Sequence, residues 1–297
     1  MTSIKGRQLV YRGYTQDELD IQYNQGSLVP DLAAYRAHWA EASEAARRGA
    51  DCARDIAYGP GGRETLDLLR PASPAGPAGS PVVVMIHGGA WRALSKDAAA
   101  FSAPAMLEAG AAFVALGFDL IDTAALAEMV RQVRAGVAWV HRNAAAHGLD
   151  PDRIFLHGFS SGAHLAASVL ADGWRAGAGL PEDLVKGAVL CSGPYDLEPV
   201  VRSARGDYLK LDPAGAGPLN PVRHIPAGGP PIVAAWGDGE LPEFRRQGAA
   251  FAEAWRAAGN RAETIELAGC NHFDACLRFA DRGGPLGRAA LAQMGLD

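Results

Sequence analysis

Short apolar segments alternate with amphipathic segments along most of the chain. The apolar segments predict strands over residues 53–58, 65–69, 81–86, 111–116, 153–158, 187–193, 230–236 and 261–267. Helical periodicity between them predicts helices over residues 98–108, 123–146, 161–171 and 241–258. Strands that are apolar throughout and are separated by amphipathic helices are typical of a parallel sheet covered on both faces. The pattern therefore predicts an α/β fold with a mostly parallel central sheet and helices on both faces.

The first fifty residues differ from this pattern. A polar leader is followed by one predicted amphipathic helix, in which Leu32, Tyr35, Trp39 and Ala42 share a face. Further along, the segment 70–81 is rich in Gly, Pro and small residues, but strand-like segments flank it on both sides. We therefore predict a surface loop within one sheet rather than a domain linker. We expect a single domain over residues 1–297, with the helical leader of residues 1–50 packed on it.

Composition narrows the functional classes. Of the 297 residues, 48% are hydrophobic and 21% are charged, and the formal net charge is −5. Without a basic surplus the chain lacks the electrostatic footprint of a nucleic-acid or anionic-lipid binder, and its longest dense apolar run, 82–86, is too short to span a bilayer. The four cysteines form no C-x-x-C pair, and the N-terminus lacks the apolar core of a signal peptide. We expect a cytoplasmic protein with no nucleic-acid or membrane partner. A homo-oligomer is compatible with the sequence.

The sequence gives no sign of a metal ion or an organic cofactor. The eight histidines are scattered without the spacing of metal ligands, and no H-E-x-x-H motif occurs. Neither a G-x-G-x-x-G motif nor a phosphate-binding loop is present. We therefore expect chemistry that uses side chains alone.

A candidate nucleophile lies in the segment Gly158-Phe159-Ser160-Ser161-Gly162. This segment matches G-x-S-x-G, and it directly follows a predicted strand and opens a predicted helix. The glycines allow a turn that lifts Ser160 above the sheet edge, and the helix N-terminus favours developing negative charge. We predict that Ser160 is the nucleophile and that the Ser161 N–H helps to bind an oxyanion.

A serine hydroxyl needs a base to take its proton and an acid to orient that base. On this architecture the three residues follow in the order serine, acid, histidine. His272 follows a predicted strand through a short loop, so we predict that it is the base. Asp238 and Glu240 both follow the strand that ends near Trp236, and their positions do not decide which of them is the acid.

The loop His87-Gly88-Gly89-Ala90-Trp91 follows an early predicted strand. Adjacent glycines leave backbone N–H groups uncovered, so a carbonyl oxygen can approach them. We predict that Gly88 and Gly89 complete the oxyanion hole with Ser161. Trp91 is either a core aromatic residue or a flat wall of a substrate pocket, and we include it with His87 and Phe159 among the candidate pocket residues.

Motifs spread along the chain are more specific than G-x-S-x-G alone. They are, in chain order, the leader motif YTQDELD (14–20), HGGAW (87–91), GFSSGAHLAA (158–167), SGPYDLEPV (192–200), LPEFRRQ (241–247) and NHF (271–273). With these motifs the chain resembles the α/β-hydrolase superfamily and, within it, the arylformamidases, also called kynurenine formamidases. The resemblance implies a single α/β-hydrolase domain, and it places the acid on Glu240, with Asp238 as the fallback.

This resemblance also implies an activity. It points to a serine hydrolase of tryptophan catabolism that cleaves the formamide of an N-formyl arylamine, such as N-formylkynurenine, to the free amine and formate, without a metal or cofactor. The alternative is a carboxylesterase that acts on small aryl or alkyl esters with the same residues. A ligand-binding protein on a hydrolase scaffold is a third alternative, but such a protein is expected to have lost a member of the Ser160, His272 and acid set.

Overall fold

The computed structural model describes residues 3–4, 7–76 and 78–296. Ten strands lie in these residues, and eight of them form one mixed sheet. Positions 1–2, 5–6, 77 and 297 of the predicted domain lie outside the described residues. The strands are, in chain order, β1 (Ser3–Ile4), β2 (Arg7–Gln8), β3 (Asp51–Ala57), β4 (Thr65–Arg70), β5 (Ser80–Ile86), β6 (Ala112–Leu116), β7 (Leu149–Phe159), β8 (Val185–Cys191), β9 (Ile232–Gly237) and β10 (Ala262–Leu267). The first two form a separate antiparallel pair.

The sheet has the order β10-β9-β8-β7-β5-β6-β4-β3. Only β4 runs antiparallel to its neighbours among the eight strands, so the predicted mostly parallel sheet is confirmed. In the register of β5 and β7, Ile86 pairs with Gly158. Because parallel strands end at the same edge, this register brings the loop after Ile86 beside the turn that holds Ser160.

Helices cover both faces of the sheet. They are α1 (Gln16–Gln22), α2 (Leu32–Arg48), α3 (Ala103–Leu107), α4 (Leu126–Asn143), α5 (Ser161–Leu170), α6 (Leu197–Arg202), α7 (Arg205–Leu209), α8 (Pro213–Ala216), α9 (Pro242–Ala257), α10 (His272–Leu277) and α11 (Pro285–Met294). Short 3₁₀ helices occupy Gln25–Leu28, Lys96–Ala98, Ala145–His147, Ala176–Ala178, Gly217–Leu219, Pro221–Arg223 and Arg278–Ala280. Apolar residues of α4, α5 and α9 pack on one face, and those of α2, α3 and α11 pack on the other.

The predicted helix over residues 98–108 is wrong in its first half. A 3₁₀ turn at Lys96–Ala98 precedes α3, which begins only at Ala103. Pro104 lies in the first turn of α3, the part of a helix where a residue without an N–H is tolerated. By contrast, the Gly- and Pro-rich segment joins β4 to β5 of the same sheet, as predicted.

The leader is not only polar. It contains α1, whose first turn is closed by a capping box in which Glu18 accepts hydrogen bonds from the backbone N–H and the hydroxyl of Thr15. Leu19 is fully buried, and Tyr23 is 4% exposed. The Tyr23 hydroxyl accepts a hydrogen bond from Gln247 Nε2 at 2.9 Å, so the leader is fixed to α9. In the described residues, no helix is both long enough and apolar enough to cross a membrane.

Candidate active site

Ser160 lies at the turn between β7 and α5 with a positive φ of 54°, an uncommon and strained value for a residue other than glycine. The glycines beside it are required by close backbone contacts. A Cβ atom on Gly162 would lie 2.1 Å from the Ile86 carbonyl oxygen, and one on Gly158 would lie 2.7 Å from the Ala163 Cα. The local sequence therefore allows a tight turn that holds the Ser160 side chain at the end of the sheet.

His272 joins Ser160 to a carboxylate. Its Nε2 atom lies 3.0 Å from Ser160 Oγ, and its Nδ1 atom lies 3.0 Å from Glu240 Oε2. All three side chains are nearly buried, with exposures of 4–5%. His272 begins α10, and the Asn271 side chain caps that helix by accepting hydrogen bonds from the backbone N–H groups of residues 273 and 274.

Glu240, and not Asp238, faces the histidine. Asp238 is exposed in the turn after β9, whereas Glu240 is buried. Glu240 Oε1 accepts a hydrogen bond from the Gly237 N–H at 2.8 Å and another from the Ser192 hydroxyl. This carboxylate therefore keeps one oxygen for His272 while two donors hold the other.

Ser192 was not among the predicted site residues. It follows β8 directly, its φ is 58°, and its N–H donates to the Ala235 carbonyl oxygen at 2.7 Å. In the sequence, Ser192 lies near the end of the predicted strand over residues 187–193, and Glu240 follows the next predicted strand, over residues 230–236. Without knowledge of the strand order, these positions do not identify a contact.

The loop after β5 lies against the Ser160 turn. Gly89, Ala90 and Trp91 all have positive φ values, of 109°, 54° and 59°. The Trp91 N–H donates to the Ser161 hydroxyl at 3.2 Å, which ties this loop to the start of α5. Gly89 and Ala90 border the cavity in front of Ser160.

Gly88 packs against the Ser160 turn. It is buried and does not line the cavity. A Cβ atom there would lie 2.9 Å from the Phe159 carbonyl oxygen and 3.0 Å from the Ser160 Cβ. The glycine therefore allows close packing. The N–H groups of Gly88, Gly89, Ala90 and Ser161 have no hydrogen-bond acceptor within the described part of the chain. Ala90 was missed because its residue type gives no signal for a role of its backbone.

Two predicted pocket residues belong to the core. Trp91 is 1% exposed, and its Nε1 donates to His164 Nδ1 at 3.3 Å. His87 stacks on Phe118 with ring centroids 4.3 Å apart, and its Nδ1 lies 2.8 Å from the Gly88 carbonyl oxygen. Burial lowers the pKa of His87 to about 4, so its ring is neutral at pH 7. Both residues support the loop, and neither lines the cavity.

The cavity in front of Ser160 is bounded by several elements. Its described wall comprises residues 23–26, Leu32, Arg36 and Trp39 of α2, residues 89–90 and 92–94, Phe159, Arg205, His272 and Phe273. Phe159 is thus the one predicted pocket residue that borders it. Across the described residues, no group of three or more His, Cys, Asp or Glu side chains is placed to hold a metal ion.

The chain is similar to several known hydrolases. A family model described as BD-FAE matches residues 66–173. The chain is 31% identical to a kynurenine formamidase of Danio rerio over 297 aligned residues, which cover 96% of this chain and 98% of that protein. It is also 31% identical to the esterase LipQ of Mycobacterium tuberculosis, over 75% of this chain and 56% of that protein. Among solved structures, a proposed thioesterase from Silicibacter sp. TM1040 superposes with a TM-score of 0.79 at 28% identity, covering 91% of this chain and 98% of the other.

Proposed function

Because the chain belongs to the kynurenine formamidase family of α/β-hydrolases, we propose that it hydrolyses the formamide of an N-formyl arylamine, such as N-formylkynurenine, to the free amine and formate. One observation supports the mechanism most strongly. His272 contacts Ser160 with one ring nitrogen and Glu240 with the other, each at 3.0 Å. A base placed between a hydroxyl and a buried carboxylate is the arrangement that activates a serine nucleophile.

In the first step Ser160 Oγ attacks the formyl carbon, and His272 Nε2 takes the hydroxyl proton. Glu240 accepts a hydrogen bond from Nδ1–H, which fixes the useful tautomer and stabilises the imidazolium. The carbonyl oxygen then becomes an oxyanion, and the free N–H groups of Gly89, Ala90 and Ser161 bind it. A donor of this kind contributes about 3–4 kcal/mol in comparable sites.

In the next step the imidazolium of His272 donates its proton to the nitrogen of the leaving arylamine as the C–N bond breaks. A formyl ester on Ser160 remains. His272 then takes a proton from water, whose oxygen attacks the ester carbon. Ser160 leaves with that proton, and formate is released.

A carboxylesterase is the second candidate. The esterase LipQ is similar over three quarters of this chain, and the same residues cleave an ester without protonating an amine. An amide has the poorer leaving group, so the two functions differ in which substrate has the higher kcat/KM.

The test compares the wild type with Ser160→Ala on N-formylkynurenine and on a p-nitrophenyl ester. We expect kcat/KM for the formamide above about 10⁴ M⁻¹s⁻¹, an ordinary enzyme value, and no turnover by the variant. Ester cleavage alone would assign the carboxylesterase function with the same residues. Turnover of either substrate that persists in Ser160→Ala would contradict the serine mechanism.

A further inference from the structure

The guanidinium of Arg205 is only partly satisfied. Arg205 begins α7, and its Nε and Nη2 atoms both donate to the Tyr23 carbonyl oxygen, at 3.2 and 2.6 Å. Its Nη1 atom is buried and has no acceptor within the described residues, and none of the described carboxylates forms an ion pair with this side chain. A buried cation without an anion is costly, so such groups are usually found with a partner.

Arg205 lies on the wall of the cavity that contains Ser160. Its Cζ atom is 5.8 Å from the ring centroid of Phe244, and that ring is 5.1 Å from the imidazole of His272. One aromatic ring therefore separates the guanidinium from the proposed base. A substrate whose acyl group sits at Ser160 can place a second group at Arg205.

The charges on the cavity wall have one sign. Arg36, Arg92 and Arg205 line it, and its described wall includes no Asp or Glu. This contrasts with the whole chain, whose formal net charge is −5. Asp20, the acid in the adjoining outer groove, already accepts hydrogen bonds from the Ala204 N–H and from Gln16. The cavity is therefore an electropositive pocket in a net acidic protein.

A second donor on the same wall lacks an acceptor. Gln25 is 3% exposed, its Oε1 accepts from the Leu241 N–H, and its Nε2 is buried without a partner among the described residues. Burial lowers the pKa of Arg205 and the neighbouring Arg92 adds to this effect, as expected for a cation that lacks a counter-charge. Unpaired donors of two residues thus border one cavity.

We propose that Arg205 binds a carboxylate of the substrate, so that the preferred substrates are N-formyl arylamines that carry an anionic group. This inference rests on the proposed function for the identity of the reacting bond, but not for the anion site itself. A guanidinium pairs with a carboxylate through two parallel N–H donors. Nη1 is free for this role, and Gln25 Nε2 is the second candidate donor.

The test uses two formamides that differ only in charge. They are N-formylkynurenine and the same compound with its side-chain carboxylate converted to the carboxamide. We expect Arg205→Gln to lower kcat/KM for the carboxylate by about 10- to 100-fold and to change kcat/KM for the carboxamide by no more than about threefold. Arg205→Lys keeps the charge and is expected to retain part of the preference.

Arg202→Gln is the matched control. Arg202 carries the same charge, but it pairs with Glu198 at 3.0 Å on the exposed side of α6 and does not line the cavity. We expect it to leave both values unchanged. An equal loss on both formamides in Arg205→Gln would mean that Arg205 only anchors Tyr23, and the absence of any loss would likewise overturn the anion site.

A second substrate pair separates failure of this inference from failure of the proposed function. 3-Acetoxybenzoate and 3-acetoxybenzamide are aryl esters that differ in the same charge. One outcome is that the wild type cleaves only esters and prefers the benzoate, and that Arg205→Gln abolishes that preference. This result would support the anion site and contradict the formamidase function. A wild type that shows no preference for the carboxylate in either pair overturns the anion site.

Discussion

The Ser192 hydroxyl donates a hydrogen bond to Oε1 of Glu240, whose other oxygen lies 3.0 Å from His272 Nδ1. Ser192 follows β8 and Glu240 follows β9, so the contact joins the segments just beyond the ends of two neighbouring strands. The carboxylate is thus held from the side opposite the histidine. We infer that Ser192 is a positioning residue, which acts on the reaction through Glu240.

Replacing Ser192 with alanine should weaken catalysis more than binding. The Glu240 carboxylate would keep the Gly237 N–H but lose the hydroxyl donor, so its orientation toward His272 would loosen. We expect kcat to fall about tenfold with little change in KM, measured by steady-state kinetics. Ser168→Ala is the control, because Ser168 is also buried and its hydroxyl donates within α5, to the His164 carbonyl oxygen. A rise in KM at constant kcat would contradict this role.

A buried ion cluster fixes the segment that follows the 87–91 loop. Asp67 Oδ2 accepts from Arg47 Nε at 2.7 Å, and Oδ1 accepts from Lys96 Nζ at 2.7 Å and from the Asp55 N–H at 2.9 Å. Asp67 is 1% exposed. The cluster therefore connects α2 and the turn at Lys96 to β4.

Asp67→Asn should destabilise the protein strongly. It leaves the buried Arg47 without a counter-charge, while Lys96 keeps its pair with Asp55 at 2.7 Å. Removing one partner of a buried ion pair costs about 3–5 kcal/mol of unfolding free energy. Urea unfolding measures this loss. The control is Asp183→Asn, whose exposed pair with Lys186 contributes about 1 kcal/mol or less. Equal losses in the two variants would contradict the importance of burial.

The same cluster predicts a response to acid. Burial raises the pKa of Asp67, but the hydrogen bonds from Lys96 and the Asp55 N–H outweigh it and hold the pKa below its usual value. A lowered pKa in the folded state contributes stability above the ordinary carboxyl pKa and loses it as the pH falls through the folded value. The stability advantage of the wild type over Asp67→Asn should therefore shrink below about pH 4, as measured by urea unfolding across that range.

Local pattern was sufficient for part of the site. Ser160 follows a predicted strand within a G-x-S-x-G motif, and His272 follows another strand, so their places depend on short stretches of sequence. Glu240 could not be separated from Asp238 in this way, because both follow β9 within four residues. Burial decides between them, and burial depends on the packing of the β8 end and α10 against that turn.

The residues that were missed depend on strand order and on packing. Ser192 reaches Glu240 only because β8 and β9 are neighbours, and Arg205 reaches the cavity from α7, a short helix without a clear periodic pattern. The sequence does not decide whether Trp91 lies in the core or lines a pocket, since aromatic residues suit both places. The sequence of the leader predicts a polar segment because the apolar positions of α1 are few, although Leu19 is fully buried.

Three buried histidines predict a further pH dependence. Burial lowers the pKa of His87 and His164 to about 4 and that of His157 to about 3. Below pH 6.5 the unfolded chain therefore binds protons that the folded chain does not, and stability falls as the pH falls. Each histidine contributes a slope of about 1.4 kcal/mol per pH unit between its two pKa values.

His157→Leu should reduce this slope by one such contribution. Urea unfolding of the wild type and the variant at pH 7, 6 and 5 gives the comparison. His157 is buried beside Phe279 with ring centroids 5.0 Å apart, so an apolar leucine suits this environment. His38→Gln is the control, because His38 is exposed on α2 and its ring stays in water. Identical slopes for the wild type and His157→Leu would show that His157 is protonated equally in the two states.

At Gly162, the close contacts of the Ser160 turn predict that alanine destabilises the protein, although helix propensity alone predicts a stabilisation. Gly162 lies in the first turn of α5, where alanine would stabilise an exposed helix by about 1 kcal/mol. Here a Cβ atom would lie 2.1 Å from the Ile86 carbonyl oxygen and 2.4 Å from that of His87. Both contacts are with backbone, so β5 and α5 must move apart, and the loop that carries Gly89 must move with them.

We therefore expect Gly162→Ala to lower the melting temperature and to reduce kcat/KM by at least about 100-fold, because a shift of about 1 Å in reacting groups costs that much. Gly177→Ala is the matched control, since a Cβ atom there has no neighbour within 4 Å. Thermal unfolding and steady-state kinetics of both variants decide the matter. Wild-type activity in Gly162→Ala would mean that the Ser160 turn tolerates a wider separation from β5 than its close contacts indicate.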